Sequence, residues 1–124
     1  MDEKNKKPNY KHFYVYVIDA TRTANQTIEE NIKISTANHF VVTHIVGNST
    51  GIYQVQFRDS GTNKHWQEGL MNNVNVVGSA QLPFELPHPR FVRAGATLYY
   101  NVKDTSGSGN TIQICLIGYE LQPS

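Results

Sequence analysis

The chain has 124 residues, a net charge of +1, 39% hydrophobic residues and a single cysteine. This length suits one domain that buries a core without metal or disulfide support, and one cysteine excludes an internal disulfide. No apolar run reaches the about 20 residues of a membrane-spanning helix and no signal-peptide core follows Met1, so we expect neither membrane insertion nor secretion through a signal peptide.

The first residues differ in composition from the rest of the chain. Residues 1 to 10 are polar and rich in lysine, contain Pro8 and show no periodicity. They predict a flexible basic N-terminal arm, followed by a single β-sandwich domain over residues 11 to 124. The basic residues are not interleaved with aromatic ones as in a nucleic-acid groove, so we expect no specific nucleic-acid partner.

The first predicted strand has apolar residues on both faces. His12 to Ile18 alternates with a period of two. We assign one set to the core, namely Phe13, Val15 and Val17, and the other set to the outward face, namely Tyr14, Tyr16 and Ile18. The following residues, Asp19 to Asn25, are rich in turn formers and predict a loop.

The middle of the chain predicts further strands. Thr27 to Ser35 and Ile52 to Asp59 alternate between apolar and polar residues, and His39 to Val46 is a nearly continuous apolar run. Between the last two, glycine and asparagine in residues 47 to 51 predict a hairpin. Lys64 to Gly69 reads as a strand or as a loop with Trp66 docked inward, and Asn72 to Val77 as a short strand.

The last third of the chain completes the set of strands. Pro83 to Pro89 must be extended, and its proline density fits the edge of a sheet. Phe91 to Arg93, Leu98 to Lys103 and Thr111 to Leu121 follow, with further core positions at Leu98, Tyr100, Ile112, Ile114 and Leu116. About eight strands and no amphipathic helix predict an all-β, two-sheet antiparallel sandwich, a jelly roll. The alternative is an immunoglobulin-like sandwich, whose paired cysteines the chain lacks.

Residues 83 to 121 carry a resemblance to a known class of proteins. A proline-stiffened segment, the Ala94-Gly95 turn, a strand, the polar loop from Asp104 to Asn110 and a terminal strand follow one another. This order resembles small jelly-roll structural proteins associated with the capsids of bacterial viruses. The resemblance implies a virion component made in the host cytoplasm, such as a decoration, vertex or head accessory protein, with other capsid proteins as partners.

The residues that catalysis or metal binding would require do not converge. The five histidines contain no i, i+2 pair, and His39 and His44 fall on opposite faces of a regular strand. Glu29 and Glu30 also alternate in direction, and no nucleophile or phosphate-loop motif occurs. We predict no catalytic residues, no metal, no cofactor and no enzyme activity. The oxygens of Asp104 and its neighbours suit turn hydrogen bonds better than calcium.

The outward apolar residues predict self-association. With the core assigned as above, the outward faces carry the interface candidates Tyr14, Tyr16, Ile18, Tyr99, Ile117 and Tyr119. Tyrosine-rich apolar surfaces of this kind mark protein contacts, and closed rings cover them without forming fibres. We expect a homo-oligomer, trimer or pentamer ahead of dimer. The alternative is a carbohydrate-binding or receptor-binding sandwich in which Trp66 contacts the glycan.

Overall fold

A computed structural model describes residues 12 to 123 of the chain. The basic arm predicted for residues 1 to 10 lies outside the described residues, as do Lys11 and Ser124. The described part contains nine strands and one short helix: β1 (His12–Arg22), β2 (Thr27–Lys33), β3 (His39–Ser49), β4 (Tyr53–Asp59), β5 (Lys64–His65), β6 (Met71–Asn72), α1 (Asn73–Val76), β7 (Phe84–Val92), β8 (Thr97–Asp104) and β9 (Asn110–Leu121).

The strands form two sheets. Sheet A has the order β1-β9-β3-β7, and sheet B has the order β2-β8-β4-β5, with β6 also paired to β4. All ladders between named strands are antiparallel. From β1 to β4, and again from β7 to β9, consecutive strands alternate between the sheets. This is the jelly roll predicted from the sequence, with β5 and β6 sharing one strand position.

The structure corrects two predictions for the middle of the chain. Residues 47 to 51 do not close a hairpin, because β3 continues through Ser49 and the chain then crosses to β4 in the other sheet. The short strand predicted at Asn72 to Val77 is largely a single helical turn, α1. This turn buries Val76 in the core cluster.

The core lies between the sheets and confirms five of the predicted positions. Leu98, Ile112, Ile114 and Leu116 are almost entirely inaccessible, and Tyr100 is buried beside them. The core cluster also takes side chains from β3 and β4, where inward and outward residues alternate as the sequence predicts. β7 is an edge strand, as its two prolines indicate.

The prediction that Phe13, Val15 and Val17 fill the core is wrong. Phe13 is 69% exposed and Val17 is 47% exposed, whereas Ile18 is fully buried. The strand does not end at Ile18 but continues to Arg22, and its inner face continues through Ala20, which is also buried. Asp19 falls on the face of Val17, which fixes that face as the outer one.

The inner face of β1 ends in a buried arginine that joins the two sheets. Arg22 Nε donates to the carbonyl of Val102 in β8 at 2.8 Å. Its Nη2 donates to the carbonyl of Ile28 at 3.0 Å and to Glu30 Oε1 at 2.9 Å, both in β2. Because a buried charge is tolerated only when it is paired and hydrogen-bonded, these bonds hold the end of β1 over sheet B.

A β-bulge in β3 changes which residues face outward. Thr43 is the extra residue, since the pairing with β9 shifts by one between Val42–Gly118 and His44–Ile117. The Thr43 hydroxyl donates to the carbonyl of Ile117 at 3.2 Å. The prediction that His39 and His44 lie on opposite faces assumed a regular strand, and the bulge makes it wrong.

Candidate self-association surface

The outer face of sheet A, the surface that points away from the core, is apolar across four strands. Its rows follow from the strand pairing, in which Phe13 opposes Tyr119, Val15 opposes Ile117 and Val17 opposes Cys115. On the other side of β9 the rows continue into β3 and β7. The members of this face are Phe13, Val15, Val17, Val41, His44, Val46, Phe91, Cys115, Ile117 and Tyr119.

Burial values show that these residues form a layer of their own. Val41 is only 5% exposed, yet it does not belong to the core cluster between the sheets. It is covered from the outside, where it pairs with Tyr119 on one side and Phe91 on the other. Phe91 is itself 50% exposed. An apolar patch that is partly packed and partly open to water is typical of a contact surface.

The outer face of sheet B has the opposite character. The inward residues of β4 include Tyr53, Val55 and Phe57, but its outward positions are Gln54, Gln56 and Arg58. These oppose Lys103, Asn101 and Tyr99 in β8. A sandwich with one solvated polar face and one apolar face has a side that its own fold leaves uncovered.

Two of the six predicted interface residues lie on the apolar face. Ile117 and Tyr119 both point outward from β9 and are half-buried among their neighbours. Tyr99 also points outward, but from sheet B. There the Arg58 guanidinium lies 4.0 Å from the centre of the Tyr99 ring, and Arg58 reaches Glu29 at 3.6 Å. Tyr99 therefore belongs to a polar, solvated surface.

The prediction that Tyr14, Tyr16 and Ile18 point outward is wrong. Ile18 is in the core, and the Tyr16 ring packs edge-on against Phe40 at 4.7 Å. The Tyr16 hydroxyl accepts a hydrogen bond from the Ser35 amide at 2.9 Å, and burial raises the pKa of this phenol. Tyr14 shares this inner face and packs against Tyr16, although it is 41% exposed at the end of the sandwich.

Sequence analysis missed Phe13, Val15, Val17 and Phe91 as members of the outer face. The signal for the first three was present four residues further along the chain. Ala20 shares a face with Ile18, while Asp19 and Thr21 share a face with Val17. Arg22, however, lies on the same face as Ile18 and Ala20. Because arginine is normally assigned to the surface, the alternation up to Arg22 does not show from the sequence which face of β1 is buried.

Cys115 lies in the middle of the apolar outer face, between Val17 and Val46. Burial, and to a lesser extent the charge of Asp19, raises the pKa of its thiol. The thiol is thus held in its neutral form and contributes apolar surface, rather than nucleophilic character. Asp19 accepts a hydrogen bond from Gln113 at 3.0 Å, and this polar pair bounds the face at one end.

Trp66, the candidate for glycan contact, packs onto the core. Its ring lies 5.2 Å from that of Phe57, and its Nε1 donates to Asp59 Oδ2 at 3.1 Å. The neighbouring Gln67 is also engaged, because its Oε1 accepts from the Phe57 amide and its Nε2 donates to the Val55 carbonyl. The polar atoms that a sugar would require from these two side chains already have partners.

The loop from Asp104 to Asn110 is held by hydrogen bonds of the kind predicted for it. The Asp104 carboxylate accepts from the Ser106 hydroxyl at 2.6 Å, the Asn25 amide at 2.8 Å and the Asn110 side chain at 3.0 Å. These bonds, with that of Ser106 the largest contribution, hold the pKa of Asp104 well below its ordinary value. The carboxylate therefore orders two loops at one end of the sandwich, the one at Asn25 and the one from Asp104 to Asn110.

Within residues 12 to 123, no group of three or more His, Cys, Asp or Glu side chains is placed to hold a metal ion. No helix in that range is long and apolar enough to cross a bilayer. The buried polar side chains found there are Arg22, Asp59, Asp104 and Asn110. Each makes hydrogen bonds to backbone or turn groups that fix the fold.

Comparisons with known proteins place the chain in no family. No family model matches it, and no curated protein matches it. Among solved structures, the core of Drosophila NLP, described in connection with pentamer formation and histone binding, covers 86% of this chain and 98% of its own length. The identity is 11% and the TM-score is 0.41. A likeness at this level carries no inference about what this chain binds or how it assembles.

Proposed function

We propose that this chain is a capsid-associated structural protein of a bacterial virus that works by self-assembly through the outer face of sheet A. The observation that carries the proposal is the contrast between the two outer faces. Sheet B presents glutamine, arginine, asparagine and lysine to water, while sheet A presents Phe13, Val17 and Phe91. Covering these side chains would gain about 25 cal/mol for each Å2 of apolar surface removed from water.

A second copy of the same chain suits this surface. The ten members of the outer face of sheet A include no lysine, arginine, aspartate or glutamate. The carboxylates on the same face, Asp19 of β1 and Glu85 of β7, lie on its two edge strands, so two copies bring few like charges together. The net charge of +1 also creates little long-range repulsion between copies. Closed rings, trimers or pentamers ahead of dimers, follow from the resemblance of residues 83 to 121 to virion proteins.

The resemblance also supports the place of this assembly in a virion, with other capsid proteins as further partners. The engagement of Arg22, Asp59 and Asp104 in structural hydrogen bonds supports a role that is not catalytic. The carbohydrate-binding alternative has less support, because the indole nitrogen of Trp66 and the amide of Gln67 are already bonded within the protein.

The test compares one charged substitution on each outer face. Val17→Lys places a charge on the apolar face, in the edge strand β1 of sheet A, and Asn31→Lys places the same charge on β2, the exposed edge strand of sheet B. An unpaired charge buried in a contact costs about 3–5 kcal/mol. We therefore expect Val17→Lys to weaken association by at least about a hundredfold, and Asn31→Lys to leave it unchanged. Sedimentation velocity at micromolar concentration measures the masses.

Cys115 provides an independent readout, since it is the only cysteine and lies within the proposed contact. Its alkylation by a maleimide should slow as wild-type concentration rises, and its rate should not depend on protein concentration in Val17→Lys. A wild-type protein that sediments as a 14.0 kDa monomer contradicts the proposal. A dimer would keep self-association and refute the ring.

A further inference from the structure

A cleft opens between the two sheets where both edge strands are interrupted. In sheet A, β7 pairs with β3 at Arg90–Val42 and at Glu85–His44, so residues 86 to 89 of β7 lie opposite the single residue Thr43 and bulge away. In sheet B, β5 and β6 leave residues 66 to 70 between them. The two interruptions face each other across a cavity of about 300 Å3.

The floor and walls of this cleft are apolar. Ile45 and Phe57, which are at most 1% exposed, belong to the core and form its inner end. Met71, Phe84 and Leu86 line the sides and are half-buried. Pockets of this size with mostly apolar walls and a few placed polar groups are typical of small-molecule sites.

The polar side chains of the cleft differ in whether they make hydrogen bonds within the described part of the chain. The indole nitrogen of Trp66 and the amide of Gln67 are bonded within the protein. Arg90 is different, because its guanidinium lies over the Trp66 ring at 5.3 Å from the centre and has no hydrogen bond or ion pair within the described residues. His88 is exposed beside it at the rim.

We propose that this cleft binds a small amphipathic carboxylate, with its aliphatic body against Met71, Phe84 and Leu86 and its carboxylate on the Arg90 guanidinium. The apolar walls select the aliphatic body. The guanidinium, which has no hydrogen bond or ion pair within residues 12 to 123, supplies five donors in a planar fork that matches a carboxylate, which it binds through two parallel hydrogen bonds. A carbohydrate suits the cleft less well, because its hydroxyls would find no free amide or indole partner on Trp66 and Gln67.

The fluorescence of Trp66 tests the proposal directly, since it is the only tryptophan in the chain and lines the cleft. Decanoate, decanol and methyl glucoside are titrated into the wild type, Arg90→Met and Arg93→Met. Methionine retains the length and apolar character of the arginine stem while removing the charge. Arg93 is exposed just beyond β7 and does not line the cleft, which makes it the matched control.

We expect saturable binding of decanoate to the wild type and to Arg93→Met, and at least about tenfold weaker binding to Arg90→Met, since tenfold is the lower end of what one charge-assisted hydrogen bond contributes. Decanol should bind all three proteins with equal affinity, because it lacks the carboxylate. Dissociation constants from calorimetry should agree, which guards against a change in fluorescence amplitude caused by the substitution beside Trp66. No saturable response to decanoate, equal effects of the two arginine substitutions, or saturation by methyl glucoside instead would each overturn the proposal.

Discussion

Adjacent residues of β1 offer the sharpest test of how the strand is oriented. Ile18 has no exposed surface and pairs with Ile114 inside the core, whereas its neighbour Val17 is 47% exposed. Ile18→Ala removes buried carbons and leaves a cavity, at a cost of about 2–5 kcal/mol. Val17→Ala removes two carbons that are worth about 1.6 kcal/mol when fully buried, and roughly half of that at this exposure.

Urea unfolding followed by circular dichroism distinguishes the two substitutions. With a slope of about 1–3 kcal/mol per molar urea, Ile18→Ala should lower the midpoint by about 1 M or more, and Val17→Ala by a few tenths. The measurement requires protein dilute enough that the midpoint no longer depends on concentration. In an oligomer, Val17→Ala would also weaken association, and its apparent cost in stability would be too large. If Val17→Ala costs as much as Ile18→Ala, β1 faces the other way and the outer face of sheet A is misassigned.

Two further predictions concern the backbone and the acid limb of stability. Gly118→Ala should destabilise the protein by about 1–3 kcal/mol, because a Cβ there would collide with the Val41 carbonyl beside the β-bulge. The control is Gly109→Ala, whose Cβ meets no atom within 4 Å and should leave stability unchanged. Thermal melts of the two variants and the wild type measure the difference. Asp104 has a lowered pKa in the folded state, so its contribution is present above the unfolded value of about 3.9 and is lost as pH falls below it. Asp104→Asn should therefore be less stable than wild type at pH 7, and its stability should fall less steeply below about pH 4; parallel acid limbs in the two proteins would contradict this reasoning.

Alternation alone was enough to predict the sheets, but not the path of the chain between them. β4 and β8 have apolar inward and polar outward residues, so their direction is evident from the sequence. The segment from Gly47 to Gly51 has hairpin composition and yet joins two sheets. Turn residues indicate that the chain changes direction. They do not indicate whether the next strand joins the same sheet or the other sheet, because both connections use the same residue types.

β1 shows where alternation fails for a physical reason. Both of its faces are apolar from Phe13 to Ile18, so either face could be buried at similar gain. Ala20 and Asp19 decide between them weakly. The stronger determinant is Arg22, a residue type that sequence reasoning assigns to the surface. The prediction of a second apolar face was therefore right for β9 and inverted for β1.

Arg22 also explains why the outer face can stay apolar without endangering the register of the strand. If β1 slipped by one residue, Phe13 and Val17 would be buried at little loss, but Arg22 would leave the carbonyls of Val102 and Ile28 without their donor. Removing one partner from a buried charged network is far costlier than exchanging one apolar side chain for another. The register is thus fixed by polar bonds at the end of the strand, and it does not depend on Phe13, Val15 and Val17 being apolar. We propose that contact with a second copy accounts for them, because the carboxylates of the outer face of sheet A, Asp19 and Glu85, lie on its two edge strands.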